Sequence, residues 1–396
     1  MKRIAVIFHR FGPYHYARLN AAGKEHSVVG IELSAHSSEY AWERAENAQT
    51  FRKVTLFPEA DSRRATASQL QNRLVKVLAQ ERPDAVAVPG WAEMGALAAL
   101  QWCARTGVPA VVMSESTALD SARVPWKEQV KARIVQMCAA GLAGGKPQAD
   151  YLTTLQLPRD RIFCGYDVVD NDYFAHAAEQ VRKNASAVRK QLGLPQRYFL
   201  ACSRFIPKKN IAGLLQAYAA YRSHATDPWK LVVLGDGPLR AEIVQQRKAL
   251  HLDQEVLLPG FKQYAELPAY YALATAFVHA STVEQWGLVV NEAMASSLPV
   301  LVSNRCGCAP DLVEQGRNGF TFDPRNPAAL ARLLGAFAEG RHDLAAMGRA
   351  SSEIIGRWSP ETFAASLRAA AHTAIESPVP AQTALSRLIV TALLHC

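Results

Sequence analysis

Two Rossmann-like α/β halves are what this sequence predicts, and three observations carry the expectation. Short strands that are apolar throughout alternate with helical stretches, the pattern of parallel sheets covered on both faces. The alternation restarts at Tyr198, after an Ala-, Lys- and Gln-rich stretch over 174–194. The 396 residues are ample for two domains of ordinary size. The expected division is a first domain over 1–175, a linker over 176–195 and a second domain over 196–357. A helix over 358–376 and an unassigned tail over 377–396 complete the chain.

In chain order, residues 3–8 make a near-continuous apolar strand, and FGPYHYARLN turns and opens a helix. A second strand is expected over 28–33, followed by a polar excursion. Leu70, Leu74, Val77 and Leu78 recur at helical spacing and lead into a strand over 84–88. A helix over 93–105, a buried-type strand over 108–113 and an amphipathic helix over 125–139 come next. The small-residue strand 139–145, the helix 147–155 and the strand 161–165 close the half. In the second half, strands are expected at 198–202, 231–234, 256–258, 277–280 and 300–303. Helices are expected at 211–220, 239–250, 267–274 and from near Gly287. Ser359 is the expected N-cap of the terminal helix, with Pro360 at its first position.

Composition narrows the class. A chain 49% hydrophobic and 20% charged has the profile of a globular protein. The start, MKRIAVIFHRFGP, reads as a strand and not a signal peptide. No run approaches the roughly 20 apolar residues of a membrane span. The longest apolar tail, 388–394, is broken by Thr391. The seven cysteines are scattered apart from Cys306-Gly-Cys308, and a lone C-x-C is a poor zinc site. Reduced thiols, a cytoplasmic setting and no metal are expected. The net charge of +9 suits anionic partners. No Lys/Arg tract or aromatic–basic motif accompanies it, so nucleic acid is not among them. On the helix 125–139, Lys127, Lys131 and Arg133 form either a solvated face or a contact with an anionic membrane surface.

The chemistry concentrates in FVHASTVEQWGLVVNEAMASSLP, residues 277–299. It reads as a strand, a polar loop and a helix opening near Gly287, with Glu284 and Glu292 on either side of the helix start. On a continuous helix the two carboxylates would stand about 12 Å and about 80° apart, too far to act on one bond. They suit two ends of one elongated ligand, with the open amides of the helix start, Gly287 and Leu288, placed for phosphate between them. One acid can hold a ribose diol, the helix end a diphosphate, and the other acid sugar hydroxyls. The loop SRFIPKKN (203–210) leaves the first strand of the same, second domain with Arg204 and Lys209, cations that would neutralise a diphosphate.

The Glu-x7-Glu stretch EQWGLVVNEAMASSLPV resembles the signature of glycosyltransferase family 4, the retaining GT-B enzymes also called glycosyl transferases group 1. Arg204 and Lys209 match the spacing of that family's R-x4-K pair. GDGP (235–238), NRCGCAPD (304–311) and GRNGF (316–320) resemble its further turns. Specific over 200–325, the likeness rests elsewhere on topology, the FGPYH loop and a weak echo in GYDVVDNDYF. It implies two Rossmann-like domains facing across a cleft, with the terminal helix crossing back onto the first. It also implies transfer of a sugar from a nucleoside-diphosphate sugar, with retention, to a glycan, lipid-linked or small-molecule hydroxyl.

Under the resemblance Glu284, Arg204 and Lys209 would be catalytic, and Glu292, Gly287 and Leu288 would bind the donor. Phe261, after Pro-Gly at the end of a strand, resembles the loop that reads the nucleobase, or else belongs to the core. Gly12 would face donor and acceptor from the first domain. Glu115, in Ser-Glu-Ser-Thr (114–117), is either part of that face or part of a helix-capping turn. His279, at a strand end, reads as structural. The family's first-domain histidine has no fixed counterpart here, and Glu115 or Asp120 could stand in for it. No cofactor is implied. The partners are the nucleotide sugar, the acceptor and a peripheral contact at the inner face of an anionic membrane. A nucleotide-sugar epimerase, a phosphorylase or a non-catalytic partner in polysaccharide assembly are the alternatives.

Overall fold

The computed structural model describes residues 2–35, 49–378, 380 and 383–395. Most of the polar excursion after the second strand falls on 36–48, outside them. The chain divides into two compact units, Met1–Val169 with Trp358–Cys396, and Asp170–Arg357.

The first unit runs β1 (Arg3–Phe8), α1 (Pro13–Glu25), β2 (Ser27–Ser34), β3 (Arg52–Phe57), α2 (Ala67–Glu81), β4 (Ala85–Pro89) and α3 (Met94–Thr106). It continues with β5 (Ala110–Ser114), α4 (Pro125–Val135), β6 (Ala140–Ala143), α5 (Lys146–Thr154) and β7 (Ile162–Cys164). The seven strands form one parallel sheet in the order β3-β2-β1-β4-β5-β6-β7. Successive residues along a strand serve opposite faces. Ala5, Ile7, Val86 and Val88 join one apolar cluster, with Leu70, Leu74 and Leu78 of α2 and Leu97 and Leu100 of α3. Ile4, Val6, Phe8, Ala85 and Ala87 join the other, with Leu19 of α1. Both faces are covered, so the strands read as unbroken apolar runs. The edge strand β3 was not expected, because its exposed Arg52 and half-buried Lys53, Val54 and Thr55 interrupt that signal.

The second unit runs α6 (Asn171–Lys183), α7 (Ala185–Leu192), β8 (Tyr198–Cys202), α8 (Ile211–His224), β9 (Lys230–Leu234), α9 (Arg240–Ala249), β10 (Val256–Gly260), α10 (Leu267–Leu273) and β11 (Ala276–His279). Then come α11 (Leu288–Ala295), β12 (Val300–Ser303), α12 (Ala309–Leu312), β13 (Gly319–Phe322), α13 (Pro327–Ala338) and α14 (Leu344–Ile355). Its six-stranded parallel sheet has the order β10-β9-β8-β11-β12-β13. The stretch expected as a helical connection forms α6 and α7 and packs within this unit. Phe174 and Ala178 bury one face of α6, and Arg182 ties it to the carbonyls of Ala272, at 3.1 Å, and Ser296.

After Arg357 the chain returns to the first unit. α15 (Pro360–Glu376) starts as expected, with the Ser359 hydroxyl accepting from the amide of Thr362 and Pro360 at the first position. Phe363, Ala364, Leu367 and Ala371 join the cluster built on Ile4 and Val6. The tail left unassigned from sequence contains a further helix, α16 (Ala384–His395), whose Val390 and Leu394 reach the opposite cluster.

Candidate functional site

The carboxyl edge of the second sheet gathers three loops. The first, 203–210, is shaped from below by the Gly-Asp-Gly-Pro turn. Gly235 has φ of 132°, and a Cβ there would overlap the carbonyl oxygen of Ser203. The amide of Phe205 donates to the carbonyl of Asp236 at 2.8 Å. Asn210 adopts a left-handed backbone, φ 54°, and its side-chain amide donates to the carbonyls of Ala280 (3.1 Å) and Pro324 (3.0 Å). The amide of Thr282 donates to the carbonyl of Lys208 at 2.8 Å. These bonds fix where Lys209 stands.

The second loop, 280–287, carries Glu284. Its Oε2 accepts from Lys209 Nζ and from Ser281 Oγ (3.2 Å), and lies 3.1 Å from His279 Nε2. Among the described residues Oε1 takes no hydrogen bond. Burial alone would raise the Glu284 pKa, but the His279 hydrogen bond and the Lys209 ammonium outweigh it and hold the carboxyl well below the usual range. Burial lowers the His279 pKa, so the imidazole is neutral. A neutral ring meets Glu284 as a hydrogen-bond donor through Nε2–H.

The third loop closes the floor. The amide of Gly307 donates to the carbonyl of Glu284 (3.0 Å), and that of Cys308 to the carbonyl of Trp286 (3.3 Å). Burial pushes both the Cys306 and Cys308 thiols up, so they stay protonated packing groups.

Gly287, φ 112°, is the N-cap of α11. The amide of Val290 already donates to the Gly287 carbonyl, and Leu288 stands at the helix's open end. Glu292 lies on the same helix but is only 1% exposed, its Oε2 accepting from the Tyr271 hydroxyl at 2.6 Å. The structure therefore gathers Lys209, Glu284, His279, Gly287 and Leu288, and places Glu292 inside the unit. Arg204 is exposed, and its side chain has no hydrogen bond or ion pair among the described residues. Phe261 is 38% exposed beyond β10, so it is not a core residue. The contact of His279 with Glu284 was not anticipated. The only sequence signal was a histidine at the end of a strand followed by a short acidic loop.

Gly12 and Glu115 belong to the first unit, each at the carboxyl end of a strand. Gly12 caps α1, its amide donating to His15 Nδ1 at 3.0 Å. Glu115 does not cap a helix, since α4 begins at Pro125 with Val124 before it. Its charge acts on Asp167, whose carboxyl burial pushes well above its ordinary range, with Glu115 adding to the shift and Arg18 opposing it. Asp120 is engaged by Arg123 and by the amide of Thr117.

The model of the family described as glycosyl transferases group 1 matches residues 184–353, nearly the whole second unit. The second unit is a glycosyl transferases group 1 domain. The alpha-monoglucosyldiacylglycerol synthase of Streptococcus pneumoniae is 32% identical over 166 residues, 41% of this chain and 34% of that protein. The GDP-mannose-dependent alpha-(1-6)-phosphatidylinositol monomannoside mannosyltransferase of Mycolicibacterium smegmatis is 29% identical over 208 residues, 50% of this chain and 53% of that one. The matches thus span about a third to a half of these curated relatives. Among solved structures, Anabaena HepE in complex with UDP covers 93% of this chain and 98% of its own at a TM-score of 0.71 and 17% identity. A glycosyltransferase from Rickettsia africae covers 95% and 99% at a TM-score of 0.73 and 13% identity. The fold is therefore GT-B, with the group 1 domain as its second Rossmann-like unit.

Proposed function

We propose that this chain is a retaining glycosyltransferase that moves a sugar from a nucleoside-diphosphate sugar to a glycan, lipid-linked or small-molecule hydroxyl. The observation that carries the reading is the Lys209–Glu284 pair beside the open end of α11. Breaking a glycosyl–phosphate bond builds negative charge on the leaving diphosphate, and fixed positive groups aimed at it are the largest source of rate. Lys209, Arg204 and the amides at Gly287 and Leu288 supply that charge. Because these cations neutralise the diphosphate, donor binding is expected to proceed in EDTA as it does with magnesium.

Glu284 is held ionised at Oε2, leaving Oε1 to accept sugar hydroxyls or to stabilise an oxocarbenium-like carbon. His279 positions that carboxylate from behind. The exposed ring of Phe261 is assigned the nucleobase. Glu292 is assigned the ribose diol, with Tyr271 fixing the carboxylate's orientation. Acceptor recognition is assigned to the first unit, at Gly12 and Glu115. The lipids in the names of the Streptococcus and Mycolicibacterium relatives support a lipid-linked acceptor and peripheral contact with an anionic membrane. No described helix is long and apolar enough to cross one.

A thermal-shift screen against UDP, GDP, ADP and their sugars tests the reading. A selective ligand raises the melting temperature by mass action. One nucleoside diphosphate should stabilise the protein, and Arg204→Ala should lose the effect. Stabilisation by none of them would overturn the donor site. Turnover without an acceptor would favour an epimerase.

A further inference from the structure

The helix α16 has two apolar faces and buries one. Ser386, Val390 and Leu394, four residues apart, face the first unit's core, and Thr391 accepts a 3.0 Å hydrogen bond from Gln101 of α3. Leu385, Leu388 and Ala392 recur three and four apart on the far side, and Leu393 emerges at the end of the helix next to the buried face. All four are exposed, Leu388 by 66%. A leucine-rich helix face is ordinarily buried. This one is not.

Further exposed apolar side chains lie on and before α4, a helix that α16 packs against. There Trp126 is 65% exposed at the first turn, and Leu119 is exposed in the loop ahead of it. Lys127 lies over the Trp126 ring at 5.5 Å. No acid occurs in α16. Of the acids on α4 and the loop ahead of it, Asp120 is paired with Arg123, and Glu128 is paired with Lys131 and accepts from the Tyr151 hydroxyl. The exposed Lys127 and Arg387 have no ion-pair partner among the described residues. Leucines and a tryptophan flanked by uncompensated cations are the composition of an interfacial membrane contact.

We infer that the α16 leucine face, with Trp126 and Leu119, inserts into the headgroup boundary of an anionic lipid bilayer while Lys127 and Arg387 engage lipid phosphates. A second copy of the chain fits less well. A 12-residue helix offers a face about 18 Å long and about 10 Å wide. That is roughly 180 Å², against the ~800 Å² per partner of a stable interface. The inference is independent of the donor chemistry, since no residue of the glycosyl transferases group 1 domain enters it.

The test is co-sedimentation of the full chain with phosphatidylcholine vesicles, with and without anionic phosphatidylglycerol. Binding is expected with the anionic lipid, weakening as salt rises. Leu385→Ser/Leu388→Ser/Leu393→Ser should lower the partition coefficient at least roughly tenfold. Its melting temperature should hold, because the replaced side chains are exposed. Trp126 emission should shift to the blue on vesicle addition, a change absent from Trp126→Phe. Absence of wild-type binding would overturn the inference, as would undiminished binding of the triple variant. So would a wild-type dimer that the triple variant dissolves. Nucleotide binding, measured separately, stands or falls on its own.

Discussion

Lys209 and Glu284 form a direct ion pair between two loops that leave the same edge of the second sheet, 75 residues apart in sequence. Such a pair couples two functions in the proposed reaction. The ammonium faces the leaving diphosphate, and the carboxylate it holds faces the sugar. Glu284→Gln keeps the shape and removes the charge, and transfer should fall at least roughly tenfold with donor binding largely retained. Lys209→Met should cost a similar factor, and the double variant less than the product of the two. Single-turnover rates of the four proteins check this. Near-normal turnover by Glu284→Gln would remove that residue from the mechanism.

Gly287 is where backbone conformation sets the site. At φ 112° a side chain is strained, and a Cβ would stand 3.4 Å from Cγ of Glu284 and 3.6 Å from Nε2 of His279. Gly287→Ala should cost about 1–2 kcal/mol of stability. It should also weaken donor binding, because the shifted α11 start carries the open amides. Denaturant melts and nucleotide titrations separate the two effects. Unchanged donor affinity would mean that the helix start does not hold the diphosphate.

Tyr271→Phe removes a hydroxyl that donates to Glu292. Stability should fall by about 1–3 kcal/mol, the cost of leaving a buried acceptor short of a partner. If Glu292 takes the ribose diol, affinity for a nucleoside diphosphate should fall further than affinity for inorganic pyrophosphate. Equal losses for both would place Glu292 in the scaffold alone.

Much of this site was legible in the sequence because its parts are local. The Glu-x7-Glu stretch, the basic loop and the Gly-Asp-Gly-Pro turn each occupy one strand-to-helix junction, and apolar runs mark those junctions. What joins the parts was not legible. Lys209 meets Glu284 through parallel pairing of β8 with β11, and no spacing encodes that contact. The depth of Glu292 was hidden for the same reason, since Tyr271 comes from a different helix. β3 escaped because an edge strand needs only one apolar end. The helix α16 escaped because proline and serine stand before it, and because Arg387, Thr391 and His395 interrupt the leucines too thinly to mark either an amphipathic helix or a span.

The first unit carries a pH-sensitive position at His15. Burial, with Arg18 beside it, lowers the imidazole pKa from 6.5 to about 3, against a smaller opposing effect of the Gly12 backbone hydrogen bond. The unfolded chain then binds a proton that the folded chain refuses across that window, so stability falls as pH drops from about 6.5 toward 3. A single such group contributes at most about 1.4 kcal/mol per pH unit. His15→Gln cannot take up that proton. It also loses the ring contact with Phe8, whose centroid is 4.5 Å from that of His15, and this loss lowers the melting temperature equally at every pH. The readout is therefore the slope. Between pH 7 and 4 the wild type should lose stability faster than His15→Gln, and parallel curves would show that His15 does not titrate in this window.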